Sequence, residues 1–436
     1  MNGGGLRADH ITQVIFPNFV NGIILSRPIA SLGNSLNAAS LRMGWYARPG
    51  DTIILPTKMP QAFWSYVSSL MEIRPESVEI IEAPSDGLTE LSRAVDDHRL
   101  MGRIRQVLRR SSDVKLLPYA LDESALQFSA TIGAGISPYQ GRVPPGALDV
   151  ARRLNTKNGY REVADRLHIP MADGVVCESW EELEEAVVDV VARAGGAVVK
   201  PTRSCLGHGL TFVTRRDLRS MPNFLAEYRD GSYHPDGWVV EEKVAFTEVV
   251  TAEMVVEADG PRVAHLGEMR TPGGIFNGQV TPMRRSSAHA PQLESIALRL
   301  GDYLAESGYR GPFDIDGGIS PDGHLLTTEC NIRQTGATYA DFIIRHFFGP
   351  EASGMSWVLG AEKGLAVGFA AGLDRLVDAG IAWRPGDEEG VILVNDTLAY
   401  DRTWRYLVVA RSDDRADEIE SAVARTLKFT SVISRK

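Results

Sequence analysis

The chain has 436 residues, 44% of them hydrophobic and 23% charged, with a formal net charge of −10. That length exceeds one ordinary core and predicts two or three globular domains, while the negative balance argues against a general nucleic-acid or membrane-surface binder. Cys177, Cys205 and Cys330 lack any zinc-like spacing, Met1–Gly5 lacks the marks of a signal peptide, and no apolar run approaches the roughly 20 residues of a bilayer span, so a cytosolic protein with reduced thiols is expected.

From the N-terminus, Thr12–Phe16 and Gly22–Leu25 read as short strands. Gly50–Pro56 reads as a turn feeding a buried strand, with a helix over Ala62–Met71 behind it. Val78–Glu82 is a further strand, helical periodicity runs from Leu88 to Arg110, and Val114–Tyr119 closes the series. Strands alternating with helices of this length indicate a parallel, Rossmann-like sheet. No GxGxxG follows a strand here, so nothing supports a dinucleotide site. Arg27, Asn34, Asn37 and Arg42 form either a polar rim for a substrate or an ordinary polar helix face. A Pro/Gly-rich passage over Gly133–Gly146 marks a boundary.

Asn155-Thr156-Lys157 opens a helix that runs to Leu167, with Thr156 or Asn155 as its cap. Ala197–Pro201 is a buried strand carrying Lys200 at its end, and a small-residue loop follows with Ser204, Gly207, His208 and Gly209. Glycines let backbone N–H groups approach phosphate oxygens, and the lysine adds a point charge. Gly-His-Gly alone fits a plain hairpin turn equally well, and there is no GxxxxGK[ST]. Trp238–Val244 is a strand turning polar at its end. It is either a charged strand terminus or an adenine-binding hinge, with the backbone of Glu242 and Val244 at the purine edge and Glu248 on ribose hydroxyls. A second sheet follows: Val249–Glu257, Arg262–Met269 and a hairpin.

That hairpin carries Asp314 and Asp316 on one arm and Glu329, Asn331 and Arg333 on the other. Side chains alternate along a strand, so the last three share a face. A carboxylate, an amide and a guanidinium in line suit a hard divalent cation bound to phosphate better than they suit a core or a random surface. A two-residue turn at Pro321-Asp322 sets Asp314 opposite Glu329. A three-residue loop turns both aspartates away from it. Beyond the hairpin, Met355–Ala379 reads as one long apolar helix, Gly390–Asp396 and Arg405–Arg411 as strands, and Asp414–Leu427 as an amphipathic helix with an acidic first turn. This appendage suits a small lid or a dimer contact.

Taken in order, these pieces resemble the ATP-grasp superfamily: Lys157 at a helix start, Lys200 with its glycine loop, an acidic hinge from Glu241 to Glu248, and Asp316 one hairpin before Glu329-x-Asn331. The resemblance implies two α+β subdomains clamping ATP. Lys157, Lys200, Ser204, Gly207, His208 and Gly209 would then serve the phosphates, and Glu241, Glu242, Val244 and Glu248 the nucleoside. Asp316, Glu329 and Asn331 would ligate Mg²⁺. Arg333 looks like the arginine of the carboxylase-type branch, whereas peptidoglycan dipeptide ligases carry an arginine at the position of Asp314. Arg270 is either a γ-phosphate contact or a surface arginine at a strand end.

The stretch Leu25–Gly33 with Arg42-Met43, Pro49–Asp51 and Glu329–Tyr339 narrows the resemblance to the pheganomycin-type peptide ligases. That resemblance implies a Rossmann-like pre-ATP-grasp domain over 1–135, a two-subdomain ATP-grasp core over 136–348 and a small α+β C-terminal domain over 349–436. It also implies ATP and Mg²⁺ as cofactors and a ligase joining a carboxylate to an amine through an acyl phosphate. Two other ATP-grasp activities share these motifs, the loading of an amino acid onto a carrier protein and a bicarbonate-dependent carboxylation.

Overall fold

The computed structural model describes residues 11–430 except 26–28, 95–97, 110, 112, 206 and 221–235. Arg27, Leu206 and Met1–Gly5 therefore lie outside the described residues. Two compact units divide the chain, Met1–Val20 with Pro28–Val143, and Asn21–Arg27 with Pro144–Lys436.

The first unit is a five-stranded parallel sheet, β1 (Thr12–Phe16), β2 (Thr52–Leu55), β3 (Glu79–Glu82), β4 (Val114–Pro118) and β5 (Gly135–Ile136), in the order β3-β2-β1-β4-β5. Its helices include α1 (Ala30–Ala39), α2 (Gln61–Leu70), α3 (His98–Leu108) and α4 (Glu123–Ile132). Val14, Phe16, Ile54, Ile81, Leu116 and Phe128 form one buried cluster, as central parallel strands covered by helices require. Asp122 caps α4 by accepting from the Ala125 N–H at 2.8 Å, and Gly133 ends it at φ 70°. Of the helix expected from Leu88, Leu91–Ala94 and α3 are helical, and 95–97 between them lie outside the described residues.

In the second unit, α5 (Pro145–Leu154) leads into α6 (Lys157–Arg166), whose N-cap Thr156 accepts from the Gly159 N–H at 3.1 Å. A four-stranded antiparallel sheet follows in the order β6-β9-β7-β8, from β6 (Gly174–Cys177), β7 (Gly196–Pro201), β8 (Thr211–Thr214) and β9 (Trp238–Glu242). Helix α7 (Trp180–Ala194) starts with a Ser179/Glu182 capping box and ends at Gly195. Its Leu183, Val187 and Val191 pack with Val199 and Val240 of the sheet.

The larger, eight-stranded sheet is built from β10 (Glu248–Glu257), β11 (Gly260–Arg270), β12 (Gly278–Thr281), β13 (Gly311–Ile319), β14 (Leu325–Asn331), β15 (Ser356–Lys363), β16 (Gly390–Asp396) and β17 (Thr403–Ala410). Its order is β14-β13-β10-β11-β12-β15-β17-β16, so the three C-terminal strands extend the sheet that carries the acidic hairpin. Helices α8 (Ala290–Glu306), α9 (Thr338–Phe348), α10 (Phe369–Asp378) and α11 (Asp413–Thr426) complete the unit.

Two segments depart from the sequence reading. Gly22–Leu25 is a turn and not a strand, because Asn21 Oδ1 accepts from the N–H groups of both Ile23 and Ile24 at 3.0 Å. Met355–Ala379 is a buried strand, β15, followed by the shorter helix α10. A short apolar run cannot by itself distinguish a buried strand from a helix. Gly360 lets β15 pass beneath the Tyr406 ring, where a Cβ would collide with the ring.

Candidate active site

The β13–β14 register decides which acids share a face. Near the turn Ile319 faces Leu325 and Gly317 faces Thr327, the parity that would turn the aspartates away from Glu329. A bulge between Asp316 and Gly317 leaves Thr328 as an extra residue and restores the phase, so that Asp316 faces Glu329 and Asp314 faces Asn331. Neither simple hairpin foresaw this. On the other side of β13, Asp316 pairs with Thr251 and Asp314 with Glu253 of β10.

Glu329 Oε2 lies 2.9 Å from Lys157 Nζ, the first residue of α6, and that ammonium also donates to Ser204 Oγ at 3.3 Å. Asp314 Oδ1 accepts from Asn331 N at 2.9 Å and Asn331 Nδ2 at 2.8 Å, and Arg333 Nη2 donates to Asn331 Oδ1 at 2.6 Å. Lys157, Ser204, Glu329, Asn331 and Arg333 line one narrow cleft together with Asn155 and Tyr160. A roomier surface cavity of about 300 Å³ lies past Thr156, lined by Arg152, Arg153, Arg203, Asp149 and Asp236, and holds none of the hairpin residues.

Lys200, at the end of β7, is paired at 2.5 Å with Glu241 of β9, and Arg161 of α6 holds the other Glu241 oxygen at 2.7 Å. All three side chains are buried or nearly so. Burial pushes the Glu241 carboxyl up, but Lys200 and Arg161 outweigh it and the net shift is downward. Glu329 is lowered likewise, Lys157 overcoming desolvation. Asp316 goes the other way, raised well above the usual range by burial and then by the Asp314 and Glu329 charges. Burial also raises Asp314, to about 7.

The fit of a divalent cation can be judged from these groups. Asp316 Oδ1 is buried with no hydrogen-bond partner among the described residues, a costly arrangement for a carboxylate oxygen. Asp316, Glu329 and Asn331 supply two carboxylates and an amide, the sparse oxygen set that suits Mg²⁺ when phosphates and water complete its octahedron. No three His, Cys, Asp or Glu groups among the described residues converge as an all-protein cage. The residues present fit a metal shared with a phosphate ligand.

Other expected residues lie apart from the cleft. Gly207 and Gly209 adopt φ of 69° and 75° in a turn where the His208 N–H donates to Cys205 O at 3.0 Å. The Glu242 N–H is taken by Asp173 O at 2.9 Å. Glu248, at the start of β10, is 3.4 Å from exposed Arg285. Arg270 is not brought to the hairpin cleft. Its guanidinium grips Glu420 of α11 with both nitrogens, and Tyr406 Oη donates to the same carboxylate at 3.0 Å. The strand-end arginine is paired with a buried acid instead.

Sequence reasoning missed Arg161, Asn155 as a clamp, and Glu253. Arg161 stands four residues after Lys157 and so on the same helix face, a legible signal. Asn155 Oδ1 accepts from the Ile332 N–H at 3.2 Å, a contact that no local pattern announces. Glu253 is an acid at a core-facing position of a strand, itself a flag. Burial raises Cys205 to about 11 and Cys330 well above its ordinary range, which suits structural thiols and not nucleophiles.

Comparison with known proteins then places the architecture. The Pre ATP-grasp domain family matches residues 40–134, and the PGM1 C-terminal domain family matches residues 371–423. Carboxyaminoimidazole ribonucleotide synthase from Aspergillus clavatus, solved with ATP, superposes with a TM-score of 0.58 at 14% identity over 96% of this chain and 98% of that one. The chain shares the ATP-grasp fold. A second ATP-grasp neighbour is the biotin carboxylase domain of Hydrogenobacter thermophilus 2-oxoglutarate carboxylase, solved with MgADP and bicarbonate. Its TM-score is 0.61 at 12% identity, covering 96% of this chain and 90% of that one. At such identities these likenesses speak for the fold alone. In sequence the chain resembles the [butirosin acyl-carrier protein]–L-glutamate ligase of Niallia circulans, 23% identical over 303 residues. That match takes in 67% of this chain and 63% of the relative, so the chain spans less than two thirds of the relative's length. No helix among the described residues is long and apolar enough to cross a membrane.

Proposed function

We propose that this protein is an ATP-grasp enzyme, an ATP- and Mg²⁺-dependent carboxylate–amine ligase that forms an amide and releases ADP and phosphate. The observation that carries the reading is the convergence of Lys157, Ser204, Glu329, Asn331 and Arg333 on one cleft, with Glu329 opposite Asp316, whose Oδ1 has no hydrogen-bond partner among the described residues. A bound Mg²⁺ would neutralise triphosphate charge, held by Asp316, Glu329 and Asn331. Lys157 and Lys200 bind the phosphates, Val244 meets the purine edge and Glu248 the ribose. Arg333 stabilises charge on the transferring phosphoryl group. The substrate carboxylate oxygen attacks the γ-phosphorus as the bond to the ADP oxygen breaks. The amine nitrogen then attacks the acyl carbon, the C–O bond to phosphate breaks, and the nitrogen loses a proton. No protein nucleophile is needed, in keeping with the raised thiols.

The substrates belong to the amino-acid and short-peptide class, and a cytosolic setting suits them. The Niallia relative's named action on a carrier protein supports a second reading, in which an amino acid is loaded onto a carrier protein. An ADP-release screen with amino acids and peptides, singly and in pairs, tests the proposal, and a carrier-bound product by mass spectrometry selects the second reading. Release of AMP and pyrophosphate, or dependence on bicarbonate, overturns both.

A further inference from the structure

We infer that Glu253 and Asp314 act as paired positioning residues, holding segment 331–338 at both ends so that Arg333 is presented to the phosphoryl group. This rests on the ligase reading above but makes a separate claim about how the arginine is held. The two carboxylates face each other across β10 and β13, and both are at least 95% buried, Glu253 at 2% and Asp314 at 5% exposure. Asp314 grips the near end through Asn331 N and Nδ2. Glu253 grips the far end. One of its oxygens accepts from Thr335 Oγ1, and the other from Thr338 Oγ1 at 3.2 Å.

The far end is itself tightly folded. Thr335 Oγ1 accepts from the N–H of Ala337 at 3.1 Å and of Thr338 at 3.3 Å, and Thr338 Oγ1 accepts from Thr335 N at 2.8 Å. Asn155 fixes the backbone between, at Ile332. Arg333 therefore springs from a short span tied down on both sides.

Helix packing alone does not call for this arrangement. Helix α9 has Ala337 at its N-cap with no side-chain cap, and a threonine or asparagine there would satisfy the first turn without a buried acid. Setting two buried carboxylates side by side costs stability, and the compensating hydrogen bonds all go to the segment around Arg333. Glutamate also reaches farther from the sheet than aspartate, which fits the longer distance to the far end.

Two measurements test this. In the nucleotide-free protein, Glu253→Ala raises amide hydrogen exchange at Ala337 and Thr338 at least tenfold, and Thr335→Val, which keeps the shape, raises it in the same sense. Unchanged exchange in a folded variant overturns the inference whatever nucleotide does. Calorimetry with Mg²⁺ and a non-hydrolysable ATP analogue supplies the second arm. Glu253→Ala and Arg333→Ala each weaken binding about tenfold, the double variant is no weaker than either, and Glu253→Gln stays within threefold of wild type. That coupling corresponds to about 1.4 kcal/mol. Effects that multiply to about a hundredfold mean that Glu253 stabilises without positioning, and they overturn the inference. A wild-type protein that ignores the analogue overturns the ligase reading instead, while the exchange arm still decides the clamp.

Discussion

Two lysine–carboxylate pairs stand at the two sheets of the larger unit, and they differ in balance. On the four-stranded sheet, Glu241 is shared by Lys200 and Arg161, so two cations meet one acid. On the acidic hairpin, Lys157 and Arg333 meet Asp314, Asp316 and Glu329, so three acids meet two cations. One wall is short of an anion and the other of a cation. A triphosphate with its metal supplies both, and each ligand alone leaves one wall uncompensated. In the proposed ligase the Lys157–Glu329 pair would add a linkage, because it would have to open before the lysine served phosphate or the glutamate served metal.

The largest effect is expected at that pair. Glu329→Gln lowers ATP turnover by at least a hundredfold in an ADP-release assay. In calorimetry without metal the same variant binds ATP more tightly than wild type, because Lys157 is released. Near-normal turnover sinks the metal assignment, and weaker metal-free binding sinks the linkage. On the cation-rich wall, Lys200→Met weakens MgATP binding about tenfold or more, with only a modest change in its dependence on metal concentration.

The Glu241 triad sharpens the contrast through stability. Breaking a buried pair by removing one partner costs roughly 3–5 kcal/mol, so Glu241→Gln falls near that range in denaturant unfolding. The sign of the pH effect follows from the downward shift. The stabilisation from Glu241 is fully present above its unfolded value of 4.5 and is lost as pH falls through the lower folded value. The gap between wild type and Glu241→Gln therefore narrows below about pH 4.5. An unchanged gap at pH 3 and pH 7 refutes the triad's role. The smallest effect on binding is expected at Arg270. Arg270→Ala lowers the melting temperature through Glu420 and Tyr406 and leaves MgATP affinity within twofold of wild type.

The sequence made the walls legible but not their connections. Strands β1–β4, β7, β9–β11 and the hairpin were readable because buried runs and alternation mark them. Lys157, Lys200, Glu329 and Asn331 were readable because their residue types suit little else at those positions. Arg270 misled because a strand-end arginine looks the same whether it faces a phosphate or, as here, a helix that joins 150 residues later. Glu253 and Asn155 were missed because their partners, Thr335 and Ile332, are brought to them only by folding. The β15 segment was misread because an apolar run looks the same in a buried strand as in a helix, and the role of its one glycine, Gly360, beneath the Tyr406 ring of β17 emerges only on folding.

Thr328 carries a further consequence. As the extra residue between turn and site, it corrects the phase of β14, so that the loop over 320–324 sets one parity and the acids obey the other. Losing the bulge while keeping Thr328 is therefore different from losing Thr328 itself. Deletion of Thr328 closes the ladder with Glu329 still opposite Asp316, whereas a Thr328 drawn into regular pairing with Asp316 turns Glu329 and Asn331 to the far face without altering a single ligand. A hairpin with its acids intact and its metal site gone would be the mark of that one flattened bulge.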